Sequence, residues 1–137
     1  MLQVCISRHR QVSIRGRVKR DLGEENVQLV TVIGFPFGYS DTATKVFESR
    51  EAIRQGADEL DLVWSQTAYH SGMNWPKIEI AQIAKICHEE ERILKVIVET
   101  ANLNERQLIE ACLITIITEI EINRLISLGT SKELRTR

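Results

Sequence analysis

Two short apolar segments that carry charged residues constrain what this chain can fold into. They are Gly56–Val63 (GADELDLV) and Lys95–Thr100 (KVIVET). Successive side chains of a β-strand point to opposite faces, so the leucines of the first segment share one face while Asp61 lies on the other. Lys95 alternates in the same way with the valines of the second segment. Because a buried charge is costly unless it is paired or used, Asp61 and Lys95 predict a site of chemistry.

Strand and helix signals alternate along the chain. The predicted strands are Gln3–Ile6, Val27–Ile33, Gly56–Val63 and Leu94–Glu99. The predicted helices run from Ser40 or Asp41 to Gln55, from about Pro76 to Glu91, and onward from a capping pair at Asn104 and Gln107. This order is typical of parallel βαβ units. After Leu113 the pattern fits a long helix or, over TEIEI, a strand.

Two architectures fit this alternation: a doubly wound open sheet and part of a (β/α)₈ barrel. Both place function at the carboxyl ends of the strands. An open sheet has helices on both faces, which leaves no suitable place for a charge in the middle of a strand. A barrel has an inner face, so Asp61 and Lys95 favour the incomplete (β/α)₈ barrel.

Composition narrows the class of protein further. The chain has 137 residues, 43% hydrophobic, which predicts one domain with an apolar core. The net charge of −1 predicts no general attraction to nucleic acid or to an anionic membrane. The basic stretch Arg8–Arg20 has no interleaved aromatic residues and is followed by acids, so a solvated helix face is favoured over a nucleic-acid site. No apolar run is long enough to cross a membrane.

The cysteines and histidines predict neither a disulfide framework nor a metal site. The chain has three cysteines without CxxC spacing and three histidines without ligand spacing: Cys5, Cys87, Cys112, His9, His70 and His88. Reduced thiols fit a cytoplasmic protein.

Four motifs taken together resemble the deoxyribose-phosphate aldolase family. They are TVIGFPFG, KVFESREAIRQGADELDLV, LKVIVET and LIEAC, and the similarity extends from about Val4 to Cys112, roughly the second to fifth βα units. The resemblance implies a class I aldolase on a (β/α)₈ barrel that needs no metal or other cofactor. It implies reversible cleavage of 2-deoxy-D-ribose 5-phosphate into D-glyceraldehyde 3-phosphate and acetaldehyde through a lysine Schiff base.

The resemblance also implies roles for three residues. Asp61 matches the family's proton-relay aspartate, Lys95 its accessory lysine, and Cys5 a cysteine near the site. The first two are the residues that strand alternation had already selected. An oriented acid that shuttles a proton and a neighbouring cation that activates an amine are the chemistry such a site needs.

The end of the chain departs from the family pattern. Counted without gaps from Cys112, the position of the Schiff-base lysine, in a motif like FIKTSTG, is occupied by Arg124. A guanidinium stays protonated and cannot form the imine, and Lys132 lies in a different context. The later strands and the phosphate site have no counterpart, and a full barrel needs about 250 residues. We therefore expect one partial barrel domain over residues 1–137, family-like over 1–112 and divergent over 113–137.

The incomplete barrel leads to one further prediction and leaves alternative functions to be considered. An unclosed barrel exposes sheet edges, which predicts self-association. The chain could instead be a non-catalytic fragment or pseudoenzyme, with Asp61 and Lys95 as a structural pair, or an unrelated α/β interaction module.

Overall fold

The computed structural model describes residues 2–6, 18, 20–21 and 27–117. The strands are β1 (Leu2–Ile6), β2 (Val27–Ile33), β3 (Glu59–Val63) and β4 (Ile93–Ile97). The α-helices of this part are α1 (Thr42–Arg54), α2 (Gln66–His70), α3 (Trp75–Glu89) and α4 (Glu105–Ile117), with a 3₁₀ turn at Thr100–Asn102. The segment TEIEI, Arg124 and Lys132 lie outside the described residues.

The four described strands form one parallel sheet in the order β1-β2-β3-β4. Chain order and spatial order are therefore the same. A doubly wound sheet reverses its strand order at a switch point, whereas a (β/α)₈ barrel adds each strand beside the one before it. The predicted incomplete (β/α)₈ barrel is confirmed, with β1 and β4 as the outer strands of an open sheet.

Local signals in the sequence account for the starts of three of the four α-helices given above. The Asp41 carboxylate accepts a hydrogen bond of 2.7 Å from the Thr44 amide at the start of α1. A proline occupies the first turn of α3, where its missing N–H costs nothing. Asn104 and Gln107 exchange side-chain bonds with each other's amide, which makes the predicted cap of α4.

One element differs from the prediction. The predicted helices do not include the short helix α2, which lies between the strand Gly56–Val63 and the helix from about Pro76. Tyr69 of this helix packs on Trp64 with 4.5 Å between ring centroids, and Ala68 is buried. These tertiary contacts stabilise a helix too short to form by propensity alone.

The apolar core lies between the sheet and the helices. It consists of one cluster: Ile33, Ala52, Ile53, Ala57, Leu60, Leu62, Trp64, Ile80, Ile83, Ala84, Ile86, Cys87, Leu94, Val96, Val98, Ala111 and Ile114. A second, smaller cluster of Val32, Val63 and Ile97, with Phe35 against it, comes from the alternate strand positions. We call the sheet face that carries this second cluster the inner face.

Candidate functional site

Asp61 and Lys95 lie side by side on the inner face. They are directly opposite each other in the register of β3 and β4, and each is 7% exposed. Both alternate with leucines and valines of the main core. The structure therefore brings together the two charged residues that strand alternation selected.

Glu59 is a third ionisable residue of this face. It precedes Asp61 by two residues on β3, so both side chains point the same way. Glu59 is 1% exposed, and its Oε1 accepts the hydrogen bond of the Lys95 ammonium in a buried ion pair. Strand alternation places Glu59 on the same face as Asp61, but nothing in the sequence indicates that it is the ionic partner of Lys95.

Cys5 can be placed by its backbone. It is in register with Val30 of β2, which is in register with Glu59 of β3. Cys5 therefore occupies the same row of the sheet as Glu59, two residues before the row of Asp61 and Lys95. Its role in the site stays a prediction.

A second buried ion pair, between α1 and α3, lies behind the carboxyl end of β3. The Lys45 Nζ is 2.6 Å from Glu79 Oε1 and donates a 3.0 Å bond to the Val63 carbonyl; both side chains are fully buried. Burial is the main influence on both groups, and it lowers the pKa of Lys45 and raises the pKa of Glu79. The sequence prediction missed this pair, because neither residue interrupts a strand.

The loop of residues 34–38 (GFPFG) packs against the same end of β3. A Cβ on Gly38 would lie 2.1 Å from the Trp64 carbonyl oxygen, and one on Gly34 would lie 2.8 Å from Lys45 Cε. Both glycines have positive φ. The backbone contact at Gly38 and the positive φ at both positions favour glycine here. The loop places Phe35 against the inner-face cluster.

A cavity of about 370 Å³ lies apart from these residues, between the α2–α3 region and α4. Polar and charged side chains dominate its lining, among them His70, Lys77, Arg106 and Glu110. Neither Asp61 nor Lys95 contributes to it. In the part of the chain that the structure describes, no helix is long and apolar enough to cross a membrane.

These features define the class of protein: a partial (β/α)₈ barrel whose inner face carries an acid and an ion-paired lysine. Within that class, the resemblance to deoxyribose-phosphate aldolase is confirmed by similarity to known proteins. A curated protein of that name from Streptococcus agalactiae is 51% identical over 85 residues, which is 61% of this chain and 37% of the relative. One from Treponema denticola is 40% identical over 98 residues, covering 71% of this chain and 45% of the relative.

Solved structures agree with these relatives. A structure described as a deoxyribose-phosphate aldolase of Coccidioides immitis shares 27% identity at a TM-score of 0.77 and covers 88% of this chain and 46% of that one. A protein described as QR15, an aldolase, shares 32% identity at a TM-score of 0.75 and covers 88% and 51% of the two chains. No protein-family model matches. The chain spans less than half the length of the curated relatives named above.

Proposed function

We propose that this chain supplies the acid-and-lysine part of a deoxyribose-phosphate aldolase site. The reaction would be the reversible cleavage of 2-deoxy-D-ribose 5-phosphate to D-glyceraldehyde 3-phosphate and acetaldehyde. The observation that carries the proposal is the register of Asp61 with Lys95 on the inner face, at neighbouring strands of a barrel whose relatives bear this name.

Each residue has a distinct task in this proposal. The Asp61 carboxylate accepts and returns a proton through water, a role that contributes typically 10²–10⁴-fold to rate. The Lys95 ammonium is a fixed positive charge beside it. Both side chains are almost fully buried, and a water-poor site strengthens the interaction between such charges and a reacting group.

We propose further that the imine-forming lysine and the phosphate site come from outside this chain. Arg124 occupies the sequence position of that lysine and cannot act as an amine nucleophile. Lys95 is held in an ion pair, which supports a role as a cation rather than as the nucleophile.

Fragment complementation tests the proposal. The 137-residue chain is mixed with the parts of the Streptococcus agalactiae aldolase that precede and follow the matched segment, and acetaldehyde release from deoxyribose 5-phosphate is followed by a coupled assay. We expect turnover by the mixture and a loss of about 10²-fold or more with Asp61→Asn. The matched control Glu110→Gln, which removes an exposed carboxylate away from the inner face, should retain the activity.

A stable complex without turnover would contradict the proposed function. Trapping of the isolated chain with acetaldehyde and borohydride tests the second part. An adduct on any lysine of this chain would show that it contains its own imine-forming amine.

Assembly and location follow from the same proposal. The outer strands β1 and β4 each have one described neighbour, so we propose that they associate with further strands of another chain in the cytoplasm. A solved deoxyribose phosphate aldolase from Aeropyrum pernix, which shares the fold at 20% identity and a TM-score of 0.66, is described as tetrameric. No nucleic-acid or membrane partner is part of the proposal.

The buried Lys95–Glu59 pair also favours a second candidate, a non-catalytic module in which these residues only stabilise the sheet. In that case Asp61→Asn would change the free energy of unfolding and leave any activity of the complemented assembly unchanged.

A further inference from the structure

The inner face carries its charges in an arrangement that strand register alone does not give. Lys95 is directly opposite Asp61, yet its ammonium is bonded to Glu59. Glu59 lies two residues earlier on β3, about 6–7 Å closer to the amino end of the strand. The lysine side chain therefore runs diagonally across the inner face toward the amino end of β3, which we call the base of the site.

Burial makes this bond consequential. Glu59 is 1% exposed and Lys95 7%, so neither charge can be compensated fully by water. A buried ammonium needs a carboxylate or several acceptors close by, and a charge-assisted bond is the stronger kind. The loss of one partner would leave the other charge buried without its counter-ion.

We infer that Glu59 is a positioning residue of the site: it anchors the Lys95 ammonium at the base of the inner face. Asp61 is then flanked by a cation of fixed position, and Lys95 is withheld from imine chemistry. This inference rests on the proposed function for its catalytic meaning, but the anchoring itself is a property of the chain alone.

The anchoring predicts a change in amine reactivity. Reductive methylation requires that the reagent reach the amine nitrogen, and the bond to Glu59 holds the Lys95 ammonium against β3 on a buried face. In Glu59→Gln, which keeps the shape and removes the charge, we expect Lys95 to be methylated about tenfold faster, as read by peptide mass spectrometry. Glu59→Asp should restore part of the protection. The control Glu51→Gln removes the carboxylate of a surface pair with Arg54 and should leave Lys95 unchanged.

An internal reference separates a released lysine from a loosened fold. Cys87 is fully buried in the main core, so its alkylation rate reports opening of the whole structure. In Glu59→Gln, the methylation rate of Lys95 should rise about tenfold more than the alkylation rate of Cys87. A Lys95 rate that rises no more than the Cys87 rate would overturn the inference.

Activity of the complemented assembly gives the second measurement. We expect Glu59→Gln to lower kcat about tenfold or more with little change in KM, and Glu59→Asp to recover part of kcat. If Glu59→Gln has the parent kcat and the parent Lys95 reactivity, the inference fails while the proposed function stands. If no assembly turns over but the reactivity pattern holds, the proposed function fails and the anchoring by Glu59 stands.

Discussion

The Lys45–Glu79 ion pair shows at the residue scale how a buried charge depends on its partner. Both side chains are fully buried. Burial lowers the pKa of Lys45 and raises the pKa of Glu79, which favours the neutral form of each group. We expect Lys45→Met to lower the free energy of unfolding by about 3–5 kcal/mol, because it leaves the Glu79 carboxylate buried without its counter-ion, while the bond from the Thr42 hydroxyl remains. Urea unfolding measures this change.

The double variant Lys45→Met/Glu79→Leu is the matched control. Replacing a buried pair by apolar residues of similar volume is often neutral, so we expect it to recover most of the stability lost in the single variant. A double variant as unstable as Lys45→Met would show that Lys45 stabilises through its Val63 carbonyl bond instead.

Cys87 predicts a pH dependence. Burial raises the pKa of its thiol from 9.0 to about 12, so between these values the folded chain keeps a proton that the unfolded chain loses. The free energy of unfolding then falls as pH rises above 9, by about 1.4 kcal/mol per unit from this group. The stability advantage of the parent over Cys87→Ala should therefore shrink between pH 8 and pH 10.5. An advantage independent of pH would contradict the assignment.

Residue identity in the sequence was informative where a charge interrupts an apolar pattern. Asp61 and Lys95 stood out in this way, and the structure places them on one face in register. Lys45 and Glu79 were missed because they lie within helices that contain many other charges. Only the packing of α1 against α3 shows that these two point inward.

At the element scale, the β2–α1 loop is fixed by how closely it approaches β3. Gly38 and Gly72 have nearly the same positive φ, 67° and 71°, but different surroundings. A Cβ on Gly38 meets the Trp64 carbonyl oxygen at 2.1 Å, whereas one on Gly72 meets nothing within 4 Å. We expect Gly72→Ala to cost about 1–2 kcal/mol from backbone strain alone.

Gly38→Ala should cost more, about 2–5 kcal/mol, because the methyl group must also displace backbone. Thermal or urea unfolding of the two variants side by side measures the difference. Equal destabilisation would show that the loop moves away from β3 without cost.

Helix starts were the most predictable elements. The caps at Asp41 and Asn104 and the proline of α3 act within a few residues, so the sequence contains the whole interaction. The short helix α2 was not predicted, because its stability depends on the packing of Tyr69 on Trp64, at the end of the preceding strand. Contacts of this kind become visible only after the chain has folded.

At the scale of the whole molecule, the open sheet predicts association. Within the part of the chain that the structure describes, β1 and β4 each have one neighbouring strand, and an open strand edge promotes pairing with another chain. We expect the midpoint of thermal unfolding to rise with protein concentration, since association stabilises the folded state by mass action. Scans over a hundredfold concentration range, with sedimentation as a control for size, test this. A midpoint independent of concentration in a monomeric sample would contradict the prediction.

The sequence by itself determined the alternation of strands and helices, the helix caps, and the two charges that should share an inner face. These depend on local periodicity and short-range hydrogen bonds, which a chain carries before it folds. Strand order, the diagonal bond from Lys95 to Glu59, and the burial of Lys45 with Glu79 were decided by tertiary structure alone. Each of these features depends on which elements become neighbours and at what register. Contacts between residues far apart in the chain decide both.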